Sequence, residues 1–145
     1  MFTIRAPRAD DLPALKALLD SGGLPTSDLM EAHLENFIIL AQAGRIAGSI
    51  GMERFGEDAL LRSLAVDTMM RGEGYGSRLL ELMEARASED GVRRLYLLTT
   101  SADNFFEHQG YERIERASVP ESIRNTKQFA GICPASATCL FKALV

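Results

Sequence analysis

Apolar and polar residues along the chain follow two spacings, one typical of β-strands and the other of α-helices. Alternating or continuous apolar runs predict strands at 2–5, 37–41, 46–53, 59–66, 94–99, from Tyr111 onward and at 138–144. Helical spacing predicts helices at 10–19, 77–88 and 102–108, a short helix from Thr26 or Ser27 to about Asn36, and an inserted helix at 119–129. The Ser118-x-x-Glu121 pattern would cap the inserted helix.

The order of these elements predicts an α/β (α+β) fold as a single domain over residues 1–145. Segment 94–99 is almost entirely apolar, as expected of a central strand covered on both faces by helices. The helix at 77–88 joins this strand to segment 59–66, so these two strands should run parallel. Hairpin turns near Gly44 and Gly56 connect antiparallel strands, which makes the expected central sheet mixed and mostly antiparallel.

Composition narrows the class of protein further. The 145 residues are 46% hydrophobic and 25% charged, which is typical of a globular domain. No apolar run reaches the roughly 18 residues of a membrane span, and the first residues do not resemble a signal peptide, so we expect a cytosolic protein without a membrane partner. The formal net charge of −4 argues against a nucleic-acid partner. An anionic ligand would have to be held by local geometry.

Segment 64–77 carries the most informative pattern: a strand, a turn, a glycine-rich loop and the start of a helix. Gly72, Gly74 and Gly76 permit positive φ and a close approach of the backbone, so successive N–H groups could point at an anion on the helix N-terminus. Two nucleotide-binding patterns are excluded by spacing. The Rossmann pattern needs a further glycine at Arg78 or Leu79, and the P-loop needs Gly-Lys-Ser/Thr.

The sequence Arg71-x-x-Gly74-x-Gly76 resembles the pyrophosphate loop with which the GNAT (GCN5-related) N-acetyltransferases bind coenzyme A. The later segment 104–111 is similar to the helix-to-strand segment of that family, and the resemblance extends over essentially the whole chain. A subgroup found in bacterial arsenic-resistance gene clusters is more similar still. The stretches that resemble it are 24–26, 59–66, 116–120 and 132–137.

The resemblance implies a GNAT fold in which the parallel fourth and fifth strands splay apart, with acetyl-CoA as co-substrate and no metal. The pantetheine arm would lie along the fourth strand, where the N–H of Val66 would donate to the thioester carbonyl. The residues that this resemblance assigns to the coenzyme are Leu64, Ala65, Val66, Arg71, Gly72, Glu73, Gly74, Tyr75, Gly76, Ser77, Asn104 and Phe106.

The chain departs from the family at two catalytic positions. Phe106 stands where many members have a tyrosine that protonates the leaving thiolate. A thiol pKa near 8.5 makes thiolate a tolerable leaving group without that acid. Leu60 stands where the histone-type members have a glutamate base, and Glu53 is the candidate base instead. Glu53 could equally be an exposed acid at a strand end, and His33 and Glu35 are rival candidates.

Three basic residues are candidates for the acceptor site. Arg62 lies in an otherwise apolar strand, so it should either pair with an acid such as Glu53 or bind a substrate carboxylate. Arg124 and Lys127 could add positive charge above the same pocket, or they could simply face solvent. Together these residues favour a small amine that also carries an anionic group, such as an amino acid or an analogue.

The resulting hypothesis is an N-acetyltransferase that acts on a small-molecule primary amine by direct attack on acetyl-CoA, in a setting of arsenic resistance. The alternatives are a non-catalytic acyl-CoA-binding module or sensor, and a peptide or protein acetyltransferase, which the inserted helix disfavours. Cys133 and Cys139 have neither zinc spacing nor a nucleophile setting; they are small packing residues or a thiol pair near the acceptor site. A homodimer is left open.

Overall fold

The computed structural model describes residues 2–144. Within this range the strands are β1 (Thr3–Arg5), β2 (Phe37–Gln42), β3 (Arg45–Phe55), β4 (Asp58–Val66), β5 (Arg94–Thr99), β6 (Glu112–Arg113) and β7 (Thr138–Ala143). The α-helices are α1 (Leu12–Ser21), α2 (Tyr75–Glu89), α3 (Asp103–His108) and α4 (Glu121–Arg124). Short 3₁₀ helices lie at Ala9–Asp11, Glu31–Asn36, Thr68–Met70 and Arg116–Ser118, and a π-helical turn lies at Gln128–Ile132.

Hydrogen-bonded strands follow one another in the order β1-β2-β3-β4-β5-β7-β6. The pair β4–β5 is parallel, with Asp58–Leu60 aligned to Arg94–Tyr96. The pairs β1–β2, β2–β3, β5–β7 and β6–β7 are antiparallel. The predicted fold class, a mixed and mostly antiparallel sheet with parallel fourth and fifth strands, is therefore confirmed.

The chain divides into two compact units, and strands β3 and β4 contribute to both. The first unit contains the residues up to Glu53 together with Arg62–Ala85. Its core is formed where α1 packs on β2, with Leu15, Leu19 and Phe37 fully buried. The Phe37 ring lies over Gly51, its partner in the β2–β3 ladder, so closely that a methyl group on Gly51 would overlap it.

The second unit contains Arg54–Leu61 and the residues from Arg86 onward. Its core brings together one residue from each of several elements, among them Leu60, Tyr96, Val119, Ile123 and Cys139. These side chains are all at least nine-tenths buried. The segment between β6 and β7 is thus anchored by Val119 and Ile123.

The structure corrects two of the predicted helices. The segment from Thr26 is not helical at its start, because the Thr26 hydroxyl donates to Asp20 Oδ1 (2.9 Å). Helical turns begin at Glu31, where Nδ1 of His33 accepts a hydrogen bond from the Met30 N–H (2.9 Å). Local side-chain hydrogen bonds have replaced the expected cap.

The inserted helix predicted at 119–129 is also wrong, since it is divided into α4 and the later π-helical turn. Ser118 ends the preceding 3₁₀ turn and does not cap α4, whose N-cap position is Pro120. After α4 the Thr126 hydroxyl donates to the Ile123 carbonyl (2.7 Å), and this competes with continuation of the helix.

Candidate active site

The end of β4 combines an irregular backbone with a free strand edge, since within residues 2–144 the ladder between β4 and β5 covers only Asp58–Leu60 of β4. Ser63 has a φ of 60°, a left-handed conformation that is typical of a β-bulge when it occurs inside a strand. Its carbonyl accepts a hydrogen bond from the Ser49 hydroxyl of β3 (2.7 Å). Further along, the Asp67 N–H donates to the Ala47 carbonyl of β3 (2.7 Å). Because successive N–H groups of a strand point to opposite edges, the N–H of Val66 points away from β3.

The glycine-rich loop leads directly from this strand end into α2. Gly72 and Gly74 have φ values of 87° and 83°, so both adopt the conformation that favours glycine. Gly76 does not, contrary to the prediction, because it is already the second residue of α2. The first helical hydrogen bond of α2 runs from the Arg78 N–H to the Gly74 carbonyl (3.1 Å). The N–H groups of Tyr75 and Gly76 precede it and therefore have no acceptor within the helix.

The loop and the β4 end are tied together by one side chain. Arg71 is exposed, and its Nε donates to the carbonyl of Val66 (3.1 Å). The guanidinium therefore lies beside the last residue of β4. A helix of 15 residues adds a partial positive charge at its N-terminus, so the loop can hold an anion through N–H groups, the helix dipole and Arg71.

Several predicted coenzyme residues contribute backbone and packing in this unit. The side chains of Val66 and Tyr75 pack against the buried cluster of Leu40, Ala47 and Met70. Leu64, Ala65, Gly76 and Ser77 are half-buried, whereas Glu73 is exposed.

Asn104 and Phe106, also predicted to bind the coenzyme, belong to α3 in the second unit. Asn104 is exposed. Phe106 is buried, with its ring in edge contact with Phe105 and Tyr111 at centroid distances of 5.1 and 5.5 Å. Phe106 therefore packs among aromatic rings, and the coenzyme contacts expected of Asn104 and Phe106 stay a prediction.

Arg62 forms the charged centre of the first unit. Its side chain is fully buried, and its two Nη atoms donate to the two carboxylate oxygens of Asp28 (2.6 and 2.8 Å). Nη1 also donates to Glu53 Oε2 (3.0 Å), and Nε donates to the Ser63 hydroxyl (3.1 Å). Two carboxylates thus surround one guanidinium, which leaves a formal charge of −1. Oε1 of Glu53 makes no hydrogen bond within residues 2–144.

The charges of this centre stabilise each other against burial. Burial alone would lower the pKa of Arg62, but the hydrogen bond and charge of Asp28, followed by those of Glu53, raise it above its ordinary value. For Asp28, burial favours a raised pKa, and the hydrogen bond and charge of Arg62 outweigh it, so that the pKa is lowered. Both groups are therefore charged at neutral pH.

The structure separates the two interpretations of Arg62. The ion pair with Glu53 is present. The fork that a substrate carboxylate would use is already occupied by Asp28, so we do not assign that carboxylate to Arg62. Arg124 and Lys127 are exposed in the second unit, and their role stays a prediction. Asp28 is not among the residues that the sequence predicts for this site, and its one signal there is indirect: an arginine in an apolar strand needs an acidic partner.

The remaining candidates have simpler roles. Nδ1 of His33 accepts a hydrogen bond from the Met30 N–H, and Glu35 is exposed. Neither Cys133 nor Cys139 forms a disulfide bond within residues 2–144. Burial raises the pKa of Cys139 to about 11, even though the charge of Arg116 acts in the opposite direction. Within residues 2–144 no group of three or more His, Cys, Asp or Glu side chains is arranged to hold a metal ion. None of the helices in this part of the chain is long and apolar enough to cross a membrane.

Comparison with known proteins gives consistent similarities. The acetyltransferase (GNAT) domain family matches residues 33–113, a range that includes residues of both units. The amino-acid acetyltransferase of Neisseria meningitidis serogroup A is 28% identical over 130 residues, which is 84% of this chain and 30% of that protein.

Solved structures extend the similarity to the whole chain. The N-acetylglutamate synthase of Neisseria gonorrhoeae, complexed with coenzyme A and N-acetyl-glutamate, is similar with a TM-score of 0.85 and 25% identity. The similarity covers 100% of this chain and 35% of that one. A GNAT-family acetyltransferase from Staphylococcus aureus, 18% identical, shares the fold with a TM-score of 0.79 over 100% of both chains. The chain spans about a third of the length of the amino-acid acetyltransferases that it matches.

Proposed function

This chain belongs to the GNAT family of acetyltransferase domains, and from that premise we propose that it transfers the acetyl group of acetyl-CoA to the amine of a small molecule. The acceptor would be an amino acid or an amino-acid analogue. The observation that carries the proposal is the glycine-rich loop at the start of α2, which the hydrogen bond from Arg71 to the Val66 carbonyl joins to the end of β4.

The coenzyme fits this part of the first unit by its chemistry. A pyrophosphate is compact and highly charged, and the N–H groups of the first turn of α2 with the Arg71 guanidinium supply the donors that it needs. An extended pantetheine arm carries amides that can bond to the outward edge of β4 at Leu64–Val66. We therefore keep Leu64, Ala65, Val66, Arg71, Gly72, Glu73, Gly74, Tyr75, Gly76 and Ser77 as the proposed coenzyme contacts.

The proposed chemistry is a direct acyl transfer. The amine nitrogen bonds to the thioester carbonyl carbon, the carbon–sulfur bond breaks, and sulfur leaves as thiolate. The N–H of Val66 stabilises the negative charge that develops on the carbonyl oxygen, a contribution commonly worth about 2.7–4 kcal/mol for one such donor. Glu53, through its unbonded Oε1, accepts a proton from the attacking amine, directly or through water.

Names of the relatives support the proposed acceptor class. The N. meningitidis relative is an amino-acid acetyltransferase, and the N. gonorrhoeae structure contains N-acetyl-glutamate. In this chain the negative charge of the Asp28–Arg62–Glu53 centre favours an ammonium group nearby. That Arg124 and Lys127, in the second unit, contact an anionic part of the acceptor stays a prediction from the sequence. The finer hypothesis, that the acceptor is an analogue linked to arsenic resistance, rests on the resemblance of segments such as 116–120 and 132–137.

The test is release of free thiol from acetyl-CoA in the presence of a panel of amino acids, arsenic-containing analogues, polyamines and a peptide amine. We expect acceptor-dependent release that Glu53→Gln lowers by about 10²–10⁴-fold, the usual contribution of a general base. Glu81→Gln, which neutralises an exposed acid on α2, is the matched control and should leave the rate unchanged.

Phe106 is the observation that favours the alternative function, a non-catalytic acyl-CoA-binding module, because its phenyl ring cannot donate a proton to the thiolate. Tight binding of acetyl-CoA without thiol release for any acceptor would support that alternative and contradict the enzyme proposal. Release with the peptide amine alone would point to a protein substrate. The single domain over 1–145, a cytosolic location and a homodimer stay predictions.

A further inference from the structure

We propose that Asp28 is a positioning residue that acts on Glu53 through Arg62, by occupying the arginine fork so that one Glu53 oxygen stays available to the acceptor amine. This inference rests on the proposed function and adds to it a buried residue that does not touch the substrate. It concerns the first unit alone, in which Asp28 lies between α1 and the 3₁₀ turn, Glu53 on β3 and Arg62 on β4.

Four of the five N–H groups of Arg62 donate hydrogen bonds to three neighbouring residues. The Asp28 carboxylate accepts one hydrogen bond from each Nη atom, which makes the pair bidentate (2.6 and 2.8 Å). The Ser63 hydroxyl oxygen accepts a hydrogen bond from Nε (3.1 Å). Glu53 receives the second hydrogen of Nη1 through Oε2 (3.0 Å), which is a single hydrogen bond. The geometry therefore leaves Glu53 anchored by one oxygen only.

Removing the Asp28 carboxylate would change this distribution. A guanidinium prefers a bidentate partner, and Glu53 would be the acid left in contact with it. A shift of Arg62 into a bidentate pair with Glu53 would engage Oε1, the oxygen that the proposed mechanism uses. Asp28 thus acts without touching the substrate, because it competes with Glu53 for the same donors.

The burial of Asp28 and Arg62 supports a positioning role for Asp28, because a buried carboxylate does not act as a general surface charge. The side chains of Asp28 and Arg62 are 4% and 0% exposed, whereas that of Glu53 is 18% exposed. Only the Glu53 end of this centre is accessible to a small molecule. Asp28 and Arg62 therefore hold the charge of the centre in place, and the exposed part of Glu53 is where the acceptor amine can bind.

The experiment is a double-mutant cycle on the whole chain, with Asp28→Asn, Glu53→Gln and the combined variant, measured as kcat/KM for the amine. We expect Asp28→Asn alone to lower kcat/KM about tenfold or more, the size of one lost charge-assisted hydrogen bond. In the Glu53→Gln background the same change should have no further effect. Affinity for acetyl-CoA should stay within about twofold in each variant, which also reports that the first unit is folded.

Two further variants keep the inference falsifiable. Asp11→Asn removes another Asp–Arg pair of the first unit, Asp11 with Arg5 (2.8 Å), and should leave kcat/KM unchanged. Arg62→Lys replaces the fork by a point charge and should lower kcat/KM in the wild-type background but not in the Glu53→Gln background. Effects of Asp28→Asn that multiply with those of Glu53→Gln would overturn the inference while the proposed function stands. Absence of acetyl transfer by the wild-type chain would overturn both.

Discussion

At the scale of single residues, the buried pair of Asp28 and Arg62 has consequences for stability. Removing one partner of a buried ion pair typically costs about 3–5 kcal/mol, because a charge is left uncompensated. In this protein Glu53 would remain beside Arg62, so the cost of losing Asp28 is smaller. We expect Asp28→Asn to lower the free energy of unfolding by about 2 kcal/mol, close to the value of a hydrogen bond to a charged group.

The lowered pKa of Asp28 predicts a specific dependence of stability on pH. A carboxyl group whose pKa is lower in the folded state stabilises the fold above its unfolded pKa of about 3.9, and this contribution is lost as pH falls through the folded pKa. Urea unfolding from pH 7 to pH 3 should therefore show a loss of stability below about pH 4. The slope should be shallower in Asp28→Asn, and identical slopes in the two proteins would contradict the prediction. Asp11, whose pKa is also lowered, contributes equally to both.

Cys139 should be the less reactive of the two thiols. It is buried with a pKa raised to about 11, whereas Cys133 is partly exposed. Because only the thiolate is nucleophilic, iodoacetamide at pH 7.5 should modify Cys133 first, and labelling of Cys139 should accelerate as pH rises. Peptide mass spectrometry of the time course measures both sites. Faster labelling of Cys139 in the folded protein would be inconsistent with its burial.

At the scale of elements, the loop between β4 and α2 gives the sharpest prediction. Gly74 has space for a side chain, so its φ of 83° is the reason for glycine. A β-branched residue in that conformation costs about 1–3 kcal/mol. Gly74→Val should therefore weaken coenzyme A binding at least about tenfold by titration calorimetry.

The matched control is Gly44→Val. Gly44 has a φ of 76° in the β2–β3 turn and likewise has open space around it. The two substitutions should destabilise the fold similarly, and only the one at Gly74 should change coenzyme affinity. An equal loss of coenzyme affinity in both variants would mean that general destabilisation causes the effect. It would contradict the assignment of the loop to the binding site.

Elements with strong periodicity were predictable from the sequence, and those governed by side-chain hydrogen bonds were not. The strands β2 to β5 and the helix α2 were predicted to within a few residues, since each presents a continuous apolar face. The helices expected from Thr26 and at 119–129 failed where Thr26 and Thr126 bond to nearby groups. Asp28 carries no local signal, because its partner lies 34 residues away in the sequence.

At the scale of the whole molecule, the chain has a net charge of −4 and yet is proposed to bind a highly anionic coenzyme. The loop, the free edge of β4 and Arg71 all belong to the first unit, so a protein of residues 1–145 should bind acetyl-CoA. At about 100 times its Kd, acetyl-CoA should raise the free energy of unfolding by about 2.7 kcal/mol. Chemical denaturation with and without ligand measures this, and no stabilisation in wild type would contradict it.

The residue types allowed at positions 37 and 51 depend on each other, because Phe37 packs directly over Gly51. The ring occupies the space above Gly51 and is itself completely buried, so Gly51 can gain a side chain only if Phe37 is replaced by a smaller residue. In a combinatorial library of this chain, the two positions would be selected jointly. The residue pairs found at positions 37 and 51 in the folded library members would then identify this contact between β2 and β3 from sequence data alone.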